Sequence, residues 1–119
     1  MSTVWTLKAR SDLEMQDAKR FGEVKELFDG NINVYNLEEM MSDITVSLRK
    51  FNDGDYLMKM GDQCAWWCCL FVLDHVFQFK EVKILIWEAR ENKYASRVVD
   101  FGQMFDIANQ AEFMRVASQ

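Results

Sequence analysis

The chain lacks proline altogether and has only 5 Gly among its 119 residues. Linkers between domains are rich in these two residues, so their scarcity indicates that no domain boundary interrupts the chain. A chain of this length is typical of one domain, and it buries roughly two thirds of its unfolded surface without needing a disulfide or a metal. We therefore expect one domain over residues 1–119, with a core over 1–101 and a C-terminal helix over 102–119.

Cysteine and histidine are also scarce. The three cysteines, Cys64, Cys68 and Cys69, lie within one apolar segment, and the chain has a single histidine, His75. An odd number of cysteines in one helical stretch cannot form a disulfide framework, and a zinc site needs further ligands. We expect these thiols to pack as small apolar side chains, with a metal or redox role as the alternative. We expect no cofactor and no metal.

Positive charge is not in excess, because the net charge is −5. A protein that binds the phosphate backbone needs clustered Lys and Arg, so we expect no nucleic-acid partner. The longest apolar run covers about ten residues, whereas a membrane-spanning helix needs about twenty. We expect neither a membrane segment nor a secretory signal, and we expect a cytoplasmic location.

Hydrophobic residues make up 50% of the chain, and their spacing predicts an α/β fold at the border with α+β. We expect a mixed sheet of four or five strands, with helices on its faces and one right-handed β-α-β crossover. Residues 11–20 read as a short helix or an ordered turn, and residues 23–28 as a strand or a helix. The other segments are more regular: strands at 3–9, 56–60, 82–87 and 96–101, and helices at 37–51, 62–78 and from residue 102 to the C-terminus.

Two segments, DGDYLMKMGDQ at 53–63 and VKILIWEARENKYASRVVDF at 82–101, lie on either side of the predicted apolar helix. Together with that helix they resemble a pattern found in small accessory proteins of tailed phages. In the phage proteins an Arg-Phe-Gly segment, here Arg20 to Gly22, introduces an early strand, which favours a strand at 23–28. The resemblance implies a phage protein that acts inside the host cell, and it carries no catalytic residues over. The chain departs from the pattern in two ways. It has Trp66, Trp67 and Cys68 where the phage proteins usually have small residues, and it has an additional C-terminal helix.

Two positions could carry chemistry. Gly61 and Asp62 form a strand-to-helix turn, the kind of place where open α/β sheets bind ligands. The turn has one glycine rather than several, and Asp62 would cap its own helix and repel an anion. Asp74 and His75 are adjacent, and neighbours on a helix point about 100° apart, so we expect no acid–base pair there. We predict no catalytic residue and do not expect an enzyme.

Four apolar residues are candidates for partner binding: Trp66, Trp67, Met104 and Phe105. The chain has 4 Trp, and two adjacent ones cannot both face the same surface. We expect the C-terminal helix to fold back on its own sheet, while a homodimer through the central or C-terminal helix stays open. The sequence thus favours a non-enzymatic protein-interaction module of a phage, which binds or modulates a host protein. The alternative is a small-ligand or nucleotide site at Gly61 and Asp62.

Overall fold

The computed structural model describes residues 2–7, 13–28 and 30–118, and for Leu13 and Glu14 the backbone alone. Single 3₁₀ turns extend the first two helices at Lys19–Phe21 and Leu48–Lys50, and a π-helical turn, Val72–Val76, extends the third. The elements in chain order are β1 (Thr3–Thr6), α1 (Leu13–Ala18), β2 (Glu23–Glu26), α2 (Leu37–Ser47), β3 (Tyr56–Met58), α3 (Gln63–Phe71), β4 (Val82–Glu88), β5 (Lys93–Val99) and α4 (Phe101–Ala117).

The strands form one mixed sheet in the order β2-β1-β3-β4-β5. β1 pairs in parallel with both β2 and β3, and β3 pairs in parallel with β4. β5 returns antiparallel to β4, with Val82 opposite Val99 at one end and Glu88 opposite Lys93 at the other. The predicted mixed sheet is confirmed, but the chain makes three crossovers between parallel strands instead of one. The additional two both involve β2, the strand favoured at 23–28, which spans Glu23–Glu26 and which the chain enters from β1 and leaves for β3.

The helices lie on both faces of the sheet. Trp5, Leu57 and Ile84 point to the face that α2 and α3 cover, and their sequence neighbours Val4, Met58 and Leu85 point to the α1 face. This alternation is the two-residue period of a strand buried on both sides. The chain therefore runs from β1 through α1 to β2 on one side, and then back across β1 through α2 to β3 on the other.

Side-chain caps fix where the helices begin. The Asn36 side chain accepts a hydrogen bond from the Glu39 N–H and caps the start of α2. Asp100 does the same for Gln103 at the start of α4, so the last strand ends at Val99 and Phe101 belongs to the helix, not to the strand predicted at 96–101. The short helix predicted near 11–20 is α1, and residues 11 and 12 lie outside the described residues.

A buried carboxylate, Asp55, ties β1 to the loop that precedes β3. Its oxygens accept hydrogen bonds from the Thr3 N–H at 3.0 Å, the Trp5 indole N–H at 2.9 Å and the Asn52 N–H at 2.9 Å. A buried carboxylate costs free energy unless donors surround it, and three donors meet that need here. The sequence indicated only a turn at this position, because the donors lie up to 52 residues away.

A second carboxylate, Asp17, joins α1 to β5. It accepts a hydrogen bond from the Tyr94 N–H at 2.6 Å and one from the Arg20 Nε at 3.1 Å, while Arg20 Nη2 donates to the Tyr94 carbonyl at 2.6 Å. Burial alone would raise the pKa of Asp17, but the Tyr94 N–H and the Arg20 guanidinium outweigh it and lower the pKa. The charged form of Asp17 therefore holds the short helix against the sheet.

Candidate functional site

A crevice lies where the chain reverses its direction across the sheet. β1 and β3 are neighbours, but α1 follows β1 on one face while α3 follows β3 on the other. Connections that leave for opposite faces open a gap at the carboxyl ends of such strands, which is where open α/β sheets bind ligands. The crevice has a volume of about 340 Å³ and is lined by Leu7, Glu26, Phe28, Gly30, Asn31, Ile32, Gly61, Asp62 and Ala65.

The two residues predicted at a ligand site both lie in this crevice. Gly61 has φ +99°, a left-handed conformation that favours glycine, and a Cβ there would lie 3.1 Å from the Leu7 Cβ. Gly61 thus lets β3 approach the end of β1 closely. Asp62 accepts a hydrogen bond from the Ala65 N–H at 2.9 Å and caps α3, as predicted. Ligand binding itself stays a prediction.

The chemistry of the crevice narrows what it can hold. Two carboxylates, Glu26 and Asp62, line it, and no Lys or Arg is among its described lining residues. An anion would be repelled, whereas an amine or hydroxyl groups could donate to the carboxylates and to Asn31. The sequence does not predict Glu26, Phe28 and Ile32 as crevice residues. They lie near Gly61 because β2 and β3 both flank β1 in the sheet, and the sequence does not specify that strand order. The signal that could have found them is the reversal of the chain after β2.

Adjacent tryptophans point in opposite directions from α3. The Trp66 side chain is 2% exposed, and its indole N–H donates to the Met58 carbonyl at 3.1 Å. Trp66 is therefore a core residue and cannot line a partner surface, which corrects the prediction for this residue. Trp67 is 55% exposed and packs edge-on against Trp66, with 5.5 Å between the ring centroids. The expectation that the two rings face different surroundings is confirmed.

The outer side of α3 is apolar and open to solvent. Trp67, Phe71 and Val76 are each about half exposed, with Cys64 exposed and Cys68 partly buried alongside them. We call these five residues the α3 stripe. The inner side of the same helix buries Ala65, Trp66, Cys69 and Leu70. The all-round apolar pattern of residues 62–78 thus combines a core face with an uncovered one.

Two of the cysteines on α3, Cys68 and Cys69, have raised pKa values. Burial raises the pKa of Cys69 to about 12, and burial together with the neighbouring Cys64 raises the pKa of Cys68. Thiolates are the nucleophilic and metal-binding form, so the raised pKa makes Cys68 less reactive than an ordinary cysteine and leaves the buried Cys69 unreactive at neutral pH. No group of His, Cys, Asp and Glu that could hold a metal ion occurs among the described residues.

Asp74 and His75 do make contact, contrary to the prediction from their spacing. Asp74 Oδ2 lies 2.9 Å from His75 Nδ1. The pair lies in the π-helical turn, and the exposed imidazole stacks on the Phe71 ring with 4.6 Å between centroids. An exposed side chain on a widened turn can bend back toward its neighbour, which the 100° rule for an α-helix does not consider. The contact lies at the end of the α3 stripe, next to Val76.

α4 buries none of its residues. Apolar side chains three and four residues apart follow one side of it, and we call them the α4 stripe: Met104, Phe105, Ile107, Ala108, Ala111 and Met114. Phe105 is 68% exposed and Met104 is 54% exposed. The expectation that this helix folds back on its own sheet is wrong. Met104, Phe105 and Trp67 are thus accessible to a partner, although contact with a partner stays a prediction.

Within residues 2–7, 13–28 and 30–118, no helix combines the length and the apolar character that crossing a bilayer demands. α4, the longest of these helices, has 17 residues and includes Asp106, Glu112 and Arg115.

One of the three comparisons with known proteins gave a match, and it covers most of the sheet and the first three helices. Searches of the curated proteins and of the solved structures gave no significant match. The family model for Phage Pam3 gp32-like proteins matches residues 6–101, which is most of the chain. The match runs from the last residue of β1 to the first residue of α4 and so leaves out the rest of α4. The phage resemblance seen in the sequence is confirmed at this level, and the chain belongs to the Phage Pam3 gp32-like family.

Proposed function

We propose that this phage protein is a non-enzymatic protein-interaction module that binds another protein through the α3 and α4 stripes. The observation that carries the proposal is the complete exposure of α4 beyond its first residue. Exposing large apolar side chains to water is unfavourable. A helix that leaves such side chains uncovered therefore marks a contact surface. Trp67 and Phe71 add aromatic rings of the kind that dominate the binding energy of protein interfaces.

The charges favour a protein over other partners. The net charge of −5 disfavours nucleic acid. A helix that lies on a membrane surface has Lys and Arg on its polar face, whereas Arg115 is the one basic residue of α4 and is paired with Glu112. The apolar stripes therefore suit a protein surface of similar character.

Three carboxylates and one buried thiol have structural roles, which supports a non-enzymatic function. Asp55 accepts three hydrogen bonds inside the core, Asp17 joins α1 to β5, and Asp62 caps α3. Cys69 is buried with a raised pKa. The phage family points to a site of action inside an infected cell, and we propose the host cytoplasm.

Affinity capture from infected host cells tests the proposal. Tagged wild-type protein is compared with the double variant Trp67→Ala/Phe105→Ala, which trims both stripes, and with Gln16→Ala, which changes an exposed polar residue of α1. Captured proteins are quantified by mass spectrometry, and each candidate is purified and titrated against all three chains by calorimetry. We expect at least one protein, or a second copy of the chain, to bind the wild type and Gln16→Ala at least about 30-fold more tightly than the double variant.

Two results would contradict this proposal. In the first, no purified protein, including the chain itself, binds the wild type. In the second, partners bind all three chains equally, which would move the contact surface away from α3 and α4.

The crevice supports a second candidate function, the binding of a small ligand with amine or hydroxyl groups. It rests on the position of the crevice at the chain reversal and on the carboxylates of Glu26 and Asp62. Amide chemical shifts of Gly61, Ile32 and Ala65 can be followed by NMR during titration with adenosine, glycerol and spermidine. Saturable shifts confined to these residues would support the site.

A blocking variant makes this second test specific. Asn31 is exposed and lines the crevice, so Asn31→Trp should fill it and abolish the shifts. Gln16→Trp adds the same ring at an exposed position that does not line the crevice, and it should leave them unchanged. Shifts that are absent with all three probes, or that survive in Asn31→Trp, would refute ligand binding there.

A further inference from the structure

We propose that a second copy of this chain covers the two stripes. In this arrangement the α4 stripe of each copy lies on the α3 stripe of the other, and a twofold axis relates the two contacts. The proposal rests on the proposed function, because it names the protein that the stripes bind. It explains why one chain carries two uncovered apolar surfaces of the same chemistry.

The base of α4 is fixed, so the helix is held away from its own body. Phe101 packs against the core, and the Asp100 side chain caps the first turn. The radius of gyration is 16.0 Å, while a compact chain of this length has about 13–14 Å. The excess is that of a helix projecting from a compact body, which is the shape that an exchange of helices between two copies requires.

The end of the π-helical turn that extends α3 and the base of α4 adjoin each other. Asp74 and Gln78, at the end of the α3 region, line the same hollow as Gly102 and Gln103 in the first turn of α4. An α4 that leaves the body beside the end of one α3 stripe is placed to reach the equivalent stripe of a copy related by twofold symmetry. Both contacts then form together.

The area favours two contacts over one. Half the surface of a helix about 25 Å long amounts to roughly 400 Å², and the half-exposed rings and smaller side chains of the α3 stripe add about 300 Å². A partner that covered one stripe alone would bury too little for a stable complex. Reciprocal exchange buries on the order of 1,400 Å² in total, which lies within the range of stable interfaces.

The electrostatics permit two copies with a charge of −5 each to meet here. The α3 stripe is uncharged, and at its end His75 is paired with Asp74. Glu112 and Arg115 follow Ala108 and Ala111 by four residues, so they lie in line with the α4 stripe near its C-terminal end, and they form a hydrogen-bonded pair with Arg115 Nε 3.0 Å from Glu112 Oε2. Since the residues of both stripes are uncharged and Glu112 is paired with Arg115, a positively charged partner is not needed.

Cross-linking tests the predicted pairing of helices, because the α3 stripe already contains Cys64 and Cys68. Ala111→Cys places a thiol in the α4 stripe. Asn109→Cys is the matched control, two residues away and about 200° around the helix. Each variant is mixed as ¹⁵N-labelled and unlabelled full-length chains and treated with a short bismaleimide. Peptide mass spectrometry then shows which cysteines are joined and whether the link crosses chains.

We expect interchain links from position 111 to Cys64 or Cys68 at least about 10-fold more abundant than those from position 109, since the two thiols lie on opposite sides of the helix. Links of position 111 to itself across chains would overturn the exchange in favour of α4 pairing with α4. Links to Cys64 or Cys68 within one chain would show that α4 covers its own α3.

Sedimentation equilibrium supplies the second measurement, with the same two positions. Ala111→Asp puts a charge into the α4 stripe and should weaken the dimer at least about 30-fold, whereas Asn109→Asp adds the same charge on the opposite side and should change it less than about 3-fold. A wild type that stays monomeric at high micromolar concentration would overturn the inference. The wild type could be monomeric and still bind a host protein that Trp67→Ala/Phe105→Ala does not bind. In that case the proposed function would stand, with a partner other than a second copy.

Discussion

α3 and α4 both carry several large apolar side chains, but the fold treats them differently. α3 buries its inner side against the sheet and α2, and leaves the α3 stripe in water. α4 buries no residue at all. The family match ends at Phe101, so the covered helix belongs to the shared body of these phage proteins and all but the first residue of the uncovered one lies outside the match. The spacing of apolar residues shows that a helix needs covering, but it does not show what covers it.

The largest expected effect separates the two sides of α3. Trp66→Ala removes a buried ring and its hydrogen bond to Met58, so the free energy of unfolding should fall by about 3–5 kcal/mol. Trp67→Ala removes a half-exposed ring and should cost the monomer no more than about 1 kcal/mol. Urea denaturation followed by circular dichroism measures both. Equal losses would show that the outer ring is also part of the core.

The next effect contrasts carboxylates in the body and on α4. Asp55→Ala leaves the indole N–H of Trp5 buried without its acceptor, so we expect a loss of about 2–3 kcal/mol in the free energy of unfolding. Asp53→Ala, an exposed position two residues earlier, should change it by less than about 0.5 kcal/mol. Glu112→Ala on α4 breaks a solvent-exposed pair and should give no measurable change in the monomer. A tolerated Asp55→Ala would mean that water replaces the carboxylate.

These contrasts show how far the sequence determines the structure. Helix starts at Asn36 and Asp62 follow from local hydrogen bonds, and the strand at 82–87 from its β-branched run, so all three were predictable. The crevice residue Glu26 and the three donors to Asp55 depend on which strands become neighbours, which no local pattern specifies. The contact between Asp74 and His75 depends on a π-helical turn, which the α-helical spacing does not predict. Phe105 is exposed because no other part of the monomer covers it, and a local pattern does not predict that either.

A smaller effect is expected in the free energy of unfolding at acidic pH. Asp17 and Glu112 both have a lowered pKa, but Asp17 joins two elements of the body whereas Glu112 lies on the exposed helix. A carboxyl whose pKa is lower in the folded state stabilises the fold above its ordinary pKa, and this stabilisation is lost as the pH falls toward the lower, folded value. Wild type should therefore exceed Asp17→Asn in stability at neutral pH, and the difference should shrink in acid.

Urea denaturation of the wild type and Asp17→Asn at a series of pH values measures that difference. Glu112→Gln is the control, and its profile should follow that of the wild type, because the Glu112–Arg115 pair is exposed and solvent screens its contribution to stability. A difference for Asp17→Asn that stays constant down to strongly acidic pH would show that shape, rather than charge, holds α1 against β5.

The smallest effect on the monomer is expected from the largest deletion. A chain that ends at Gly102 keeps Phe101 in the core and loses the α4 stripe. Since the removed residues bury nothing, the free energy of unfolding at low micromolar concentration should change by less than about 0.5 kcal/mol. At high micromolar concentration the wild type should become more stable than the truncated chain, because association stabilises only the folded form that can dimerise. A large loss at low concentration would instead mean that α4 packs on its own body in solution, and the contrast between α3 and α4 would disappear.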